Sequence, residues 1–302
     1  MHFSLLMTNL WIGLCNGDRG LPTDLHKLGY STGLIEWQFV NQDRDLVEPD
    51  FMTWSEQINH TLMCEWKNGA NASRDQLDRS ARVATGDLRS HAVISSNAVA
   101  NHDVVIVGLD ENQLRLQISL DAANSKFPLI VTTEQGLERV SQSFNEPKLE
   151  SVFDPLVIDW SRVPTSYISC DGESELWEIA EVVVPEILSE MQAGVMIFVG
   201  RDLAQSISSL WTHMGPQAKS ALESKVNSTL SAMQQHGFSQ YFKWDGRQRK
   251  LMASTNLHSV TPTERSRMLQ RLRSTQNKFV STLRAQVEPG HPESGIQLSL
   301  DV

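Results

Sequence analysis

Two short apolar runs constrain the fold of this chain more than any other feature. Val104-Val105-Ile106-Val107-Gly108 and Phe127-Pro128-Leu129-Ile130-Val131 are each bounded by polar residues. Continuous apolar runs of that length, without alternation, read as strands buried on both faces. Between them, Leu114 to Ala123 reads as a helix. Strands separated by helices require a sheet with some parallel pairing and a helical layer against it, so the expected class is α/β. The 302 residues exceed one ordinary domain, and Pro147, Pro155 and Pro164 mark a break. Two domains are expected, 1–150 and 160–302.

The remaining elements follow from local chemistry. Asn16-Gly17-Asp18 and Arg19-Gly20 are turn signals, and a short strand or helix lies around Leu34 to Val40. Val47 to Trp54, Ser55-Glu56-Gln57 and Ile58 to Lys67 form a β-hairpin that Asn68-Gly69 ends. Ser73 caps a helix from Arg74 to about Leu88, and Glu134 to Ser141 reads as helical. The second half is mostly helical. Ser174 to Gln192 carries an apolar stripe in which Pro185 predicts a kink or break. Gly200 to Trp211 and Pro216 to Gln235 are further helices, the latter stopped by Gly237. Phe238 to Ser254 is a hairpin turning at Asp245-Gly246. Thr263 to Leu283 is a basic helix, and the residues around Pro289, Gly290 and Pro292 form a tail.

The net charge of −10 argues against a protein that binds nucleic acid with its whole surface. Its distribution argues for a local basic face. Between Gln240 and Glu288 stand ten Lys or Arg against three acids. An acidic body with a basic working surface fits this asymmetry, and so does a solvated basic helix. Cys15, Cys64 and Cys170 show no paired spacing, which argues against a disulfide framework and against a cysteine zinc site. No run of 18 apolar residues exists, and the first fifteen residues lack a basic leader, so a cytoplasmic protein without membrane contact is expected. A phosphate loop, a dinucleotide glycine fingerprint, a Gly-x-Ser-x-Gly elbow and a His-x-x-x-His pair are all absent from the sequence. The eight tryptophans read as core and interface residues, with Trp244 on the second hairpin as the exception to watch.

The chemistry concentrates on the first hairpin. Strand side chains alternate, so Glu65 and Lys67 share a face. A turn centred between Gln57 and Ile58 sets Asp50 opposite Glu65. Were the register different, Asp43 or Asp45 would stand in for Asp50. Two carboxylates, the Trp66 carbonyl and water make an oxygen-rich donor set suited to Mg²⁺ or Mn²⁺. Such a metal lowers the pKa of a bound water, and Lys67 could position that water or stabilise charge on phosphate oxygens.

The string Pro49-Asp50, fourteen residues, then Glu65-Trp66-Lys67, with the apolar lead-in Leu62-Met63-Cys64, resembles the PD-(D/E)xK nuclease superfamily. The following helix carries Gln76 in Asp75-Gln76-Leu77-Asp78-Arg79, where many members place a glutamine, while Ser80 stands where many have tyrosine. Glu36 is the candidate for an additional upstream acid. The resemblance spans roughly residues 20–140. It implies a restriction-endonuclease-like mixed sheet flanked by helices, with the order helix, three-strand meander, helix, strand. It also implies catalytic Asp50, Glu65, Lys67 and Gln76, a metal held by Asp50, Glu65 and Trp66, and DNA as substrate.

The second half resembles a winged helix-turn-helix. Its helices would be Leu203–Thr212, Gln217–Lys225 and Asn227–His236, and its wing Phe238–Ser254. Lys243, Arg247, Arg249 and Lys250 would lie on the wing, and Arg265, Arg267, Arg271 and Arg273 on the basic helix. The nucleic-acid-binding candidates are Lys243, Arg247, Arg249, Lys250, Arg265 and Arg271, with Ser228, Ser231, Gln234 and Gln235 facing bases. Winged helices also mediate protein contacts, so a protein partner stays open. The expected function is a metal-dependent DNA endonuclease, in a setting such as restriction, phage defence or transposition. It would act as a homodimer or within a multi-protein assembly. The alternative is a non-catalytic DNA-binding or assembly subunit with a degenerate nuclease fold.

Overall fold

The computed structural model describes residues 2–69, 71–90, 94 and 101–287. The chain divides into two compact units. One comprises Met1–Thr165 with the short segment His213–Pro216. The other comprises Ser166–Thr212 and the described residues 217–287.

The first unit opens with helix α1 (Phe3–Asn16), stopped by Gly17 in the left-handed conformation. Nearly all of α1 is buried, Trp11 completely, so it is a core helix rather than an amphipathic surface one. A single turn, α2 (Asp24–Lys27), precedes strands β1 (Leu34–Ile35), β2 (Phe39–Val40), β3 (Leu46–Val47), β4 (Phe51–Ser55) and β5 (His60–Lys67). Helices α3 (Arg74–Ala81) and α4 (Thr85–Ser90) lead to β6 (Asn101–Leu109), α5 (Gln113–Ala122), β7 (Leu129–Thr133), β8 (Gly136–Ser141), α6 (Pro147–Val152) and β9 (Leu156–Val157).

Seven of these strands form one mixed sheet in the order β1-β4-β5-β6-β7-β8-β9. Pairs β5/β6 and β6/β7 are parallel, and the others are antiparallel. The two apolar runs that fixed the α/β expectation are thus central parallel strands. Trp66 packs against α1, its ring centroid 5.7 Å from that of Trp11, and stacks with Phe51, while Trp11 stacks with Phe153. On the other face, Ile106, Leu129 and Val131 pack with Leu77 of α3 and with Leu116 and Leu120 of α5. Gly108 permits that approach, since a Cβ there would lie 2.3 Å from the Leu116 side chain.

The first hairpin has the expected register. Ser55 pairs with His60 and Phe51 with Cys64, so the turn is centred between Gln57 and Ile58. Its first arm is shorter than expected. Pro49 lacks the amide a ladder needs, and Leu46–Val47 pairs instead with β2 in a separate two-stranded ribbon. The expected helix from Arg74 to Leu88 is two helices. Arg82 ends the first, and Asp87 Oδ2 accepts from Ala84 N at 2.8 Å to start the second. Glu134–Ser141 is corrected from helix to strand. Gly136, at φ +143°, turns the chain back into a hairpin with β7, and Leu137 is buried.

The second unit contains α7 (Leu176–Gln192), β10 (Ile197–Val199), α8 (Gly200–Ser206), α9 (Pro216–Gln235), β11 (Phe242–Asp245), β12 (Lys250–Ala253) and α10 (Pro262–Gln286). Helix α7 runs through Pro185 without interruption, held by the buried stripe Ile179, Val183, Ile187 and Met191. Helix α8 ends at Ser206, short of the expected Trp211. The two helices expected over Gln217–Lys225 and Asn227–His236 are one continuous helix, with Val226 and Leu230 buried in the same stripe. The three-stranded sheet has the order β10-β12-β11, all antiparallel. The second hairpin turns over residues 246–249. The left-handed position is Arg249 (φ +50°), not Gly246, and Asp245 Oδ1 accepts from the amides of Arg247 and Gln248. The expected tail lies outside the described residues. No described helix is long and apolar enough to cross a membrane.

Candidate functional site

Asp50, Glu65, Lys67 and Gln76 all lie in the first unit. Continuing the β4/β5 register by one pair places Asp50 beside Glu65. The two strands are tied there by a main-chain to side-chain bond, Trp66 N donating to Asp50 Oδ2 at 2.6 Å. The same register for β1 and β4 brings in Glu36, whose amide donates to the Asp50 carbonyl at 3.0 Å. Glu36 adopts φ +46°, an uncommon conformation for a residue with a side chain.

Alternation along β5 separates the roles of its last three residues. Trp66 faces α1, where its Nε1 donates to Thr8 Oγ1 at 3.1 Å. Glu65 and Lys67 face the opposite side, toward α3. Lys67 Nζ donates to Gln76 Oε1 at 2.8 Å and to Glu65 Oε2 at 3.4 Å, and Gln76 Nε2 donates to that same Glu65 oxygen. The glutamine amide, which has both a donor and an acceptor, thus bridges an ammonium and a carboxylate.

Glu65 is 2% exposed, and its carboxyl is pushed up to about 8. Burial is the main cause and the charge of Asp50 the next, with Lys67 and Arg79 opposing them. A buried anion beside a second anion is a place where added positive charge is stabilising. The donor set, two carboxylates and main-chain oxygen, suits a hard divalent cation. Among the described residues, no group of three His, Cys, Asp or Glu side chains capable of holding a metal comes together.

An open cleft of about 120 Å³ adjoins this network, lined by Leu46, Val47, Glu48, Gln76, Arg79 and Ser80. Glu48 Oε2 accepts from Gln38 Nε2 at 2.8 Å. Sequence reasoning missed Glu48, Gln38 and Arg79. The signal for Arg79 was its position three residues after Gln76, on the same face of a helix.

A family model described as the MJECL32 domain matches residues 4–168, more than half of the chain. The chain belongs to the MJECL32 domain family. Comparison with curated proteins and with solved structures gives no match. The part matched by the MJECL32 domain contains Asp50, Glu65, Lys67 and Gln76, and the sheet that aligns them.

In the second unit, Lys243 and Arg247 are exposed on the hairpin. Arg249 forms an ion pair with Glu223 of α9 at 3.6 Å, and Lys250 stands opposite Asp245. Arg265 is turned back to the Leu257 carbonyl at 2.8 Å, whereas Arg271 is exposed on α10. Gln234, expected to face a base, uses its Oε1 to accept from Trp244 N at 2.7 Å and so fastens the hairpin to α9. A second cleft runs between α9 and the hairpin, lined by residues including Asn227, Ser228, Ser231, Trp244 and Arg249.

Proposed function

We propose that this MJECL32 domain protein is a metal-dependent nuclease of the PD-(D/E)xK type, hydrolysing phosphodiester bonds in DNA. One observation carries the reading. Asp50, Glu65, Lys67 and Gln76, chosen on motif spacing, lie around one buried carboxylate at the end of β5. The element order also supports it. A helix (α1), an antiparallel three-strand meander (β1, β4, β5), a helix (α3) and a strand parallel to the last of the meander (β6) is the arrangement that the resemblance implies.

Asp50 and Glu65 would hold Mg²⁺ or Mn²⁺, with the Trp66 carbonyl as a further ligand. When bound, the metal supplies charge that acidifies a coordinated water and neutralises the phosphate. The protein's own groups do the rest. Lys67 Nζ presents hydrogen-bond donors at the rim and offsets negative charge there. Gln76 fixes the ammonium and the Glu65 carboxylate relative to each other.

The second unit supports DNA positioning. Its order α7-β10-α8-α9-β11-β12, with strand order β10-β12-β11, fits the winged helix-turn-helix that the resemblance implies, in which α9 would be the recognition helix. Lys243, Arg247 and Arg271 are among its exposed cations and would contact phosphates. The rival reading is a DNA-binding or assembly subunit whose nuclease fold no longer cuts. It draws support from the shortage of a third acidic side chain beside Asp50 and Glu65 among the described residues.

Incubating the purified protein with supercoiled and linear DNA separates the two. The nuclease reading expects cleavage with Mg²⁺ or Mn²⁺ that EDTA stops. A gel shift without cleavage under any of these conditions would favour the subunit.

A further inference from the structure

We propose that Arg79 takes a substrate phosphate at the active site, an assignment that rests on the nuclease reading. Arg79 lies on α3 one turn beyond Gln76 and lines the cleft that Gln76 borders. Its guanidinium is held in place by main-chain oxygens alone. Nε donates to the Asp75 carbonyl at 3.2 Å and Nη1 to the Leu46 carbonyl at 3.1 Å. The arginines around it differ in this respect. Arg74 faces Asp78 at 3.8 Å and Arg82 faces Asp45 at 3.1 Å.

Among the described residues Arg79 forms no ion pair, and although its charge also acts on the Glu65 carboxyl from a distance, no carboxylate occupies its remaining donors. Three of its five N–H donors remain for a ligand. A fixed guanidinium fork with a free charge is the group that binds phosphate oxygens bidentately. Glu48, on the same cleft, has one carboxylate oxygen engaged by Gln38. The occupant that satisfies the arginine is therefore an anion entering from solvent, and beside a phosphodiesterase site that anion is a phosphate of the bound strand.

Arg79→Gln removes the charge while keeping a donor for the Leu46 carbonyl, and Arg79→Lys keeps the charge. Binding of a duplex oligonucleotide is measured by anisotropy in Ca²⁺ over a range of salt, and single-turnover cleavage in Mg²⁺. In Arg79→Gln the slope of log affinity against log salt becomes shallower by about one, the value for one lost phosphate contact. Arg79→Lys keeps the wild-type slope. Cleavage by Arg79→Gln slows by on the order of 100-fold or more, the range expected for losing a donor to a developing charge. In the wild-type protein, DNA protects Arg79 from phenylglyoxal, and mass spectrometry locates the protected site, so the assignment is tested even if a variant does not fold. Equal slopes in all three proteins, or Arg79 modified equally with and without DNA, would overturn the assignment while leaving the nuclease reading intact. Wild-type protein that cuts no DNA would overturn the nuclease reading and this assignment with it.

Discussion

Gln76 accepts a hydrogen bond from Lys67 Nζ at 2.8 Å through one end of its amide and donates to Glu65 with the other. The residue thus sets the distance between the site's cation and its buried carboxylate. Gln76→Ala is expected to lower cleavage by roughly 10- to 100-fold, the usual cost of losing a residue that orients a metal ligand. Stability should change little, because Gln76 is only half-buried. Single-turnover rates beside urea denaturation check this. An unchanged rate would remove Gln76 from the site.

Asp50 combines two roles that one pair of variants separates. Its Oδ2 receives the Trp66 amide, and its charge raises the Glu65 pKa. Asp50→Asn keeps an acceptor for that amide and should fold nearly as stably as wild type while losing metal-dependent cleavage. Asp50→Ala leaves the amide without its partner and should lose about 1–3 kcal/mol in addition. Equal unfolding free energies for the two variants would contradict the bond's importance.

The Glu65 carboxyl makes the metal-free protein sensitive to pH. Its pKa is raised from 4.5 to about 8 by burial first and by Asp50 second. Between those values the folded state holds a proton that the unfolded chain has released. Stability should therefore fall as pH rises from about 4.5 to about 8 and level off above. Glu65→Gln should flatten that part of the profile, and Mg²⁺ should restore stability to the wild type at the alkaline end. A metal-free wild-type profile that is level or rising over this window, by urea denaturation, would contradict it.

On the second unit, Glu223 restrains Arg249 through the 3.6 Å ion pair. Releasing that arginine should favour phosphate contact. Glu223→Gln is expected to tighten DNA binding severalfold at low salt, and the gain should vanish when Arg249→Ala is added. Affinity that is unchanged by Glu223→Gln would remove Arg249 from the DNA surface.

The sheet and its register were legible because burial forces them. The apolar runs at Val104 and Leu129 read as buried strands and are the central ones, and of the registers open to the first hairpin the turn between Gln57 and Ile58, which sets Asp50 against Glu65, is the observed one. Glu134–Ser141 was misread because its charges resemble a helix start, while the conformation of Gly136 decides for a hairpin. Helix α9 runs from Pro216 to Gln235 as its sequence pattern and Gly237 indicate, with Val226 and Leu230 in the buried stripe; only the winged-helix resemblance divides it between Lys225 and Asn227. Arg79 and Glu48 carried no motif. Helical spacing sets Arg79 beside Gln76, but the place of Glu48 in the cleft depends on how α3 packs near the β2/β3 ribbon, which no local pattern encodes.

The central claim is that Asp50, Glu65 and Lys67 form a metal-dependent phosphodiesterase site. Conversion of supercoiled plasmid by wild type, Asp50→Ala and Lys67→Ala, each with Mg²⁺ or Mn²⁺, tests it most directly. The account predicts that wild type alone produces nicked or linear DNA. Equal conversion by all three proteins, or none by wild type, would contradict it.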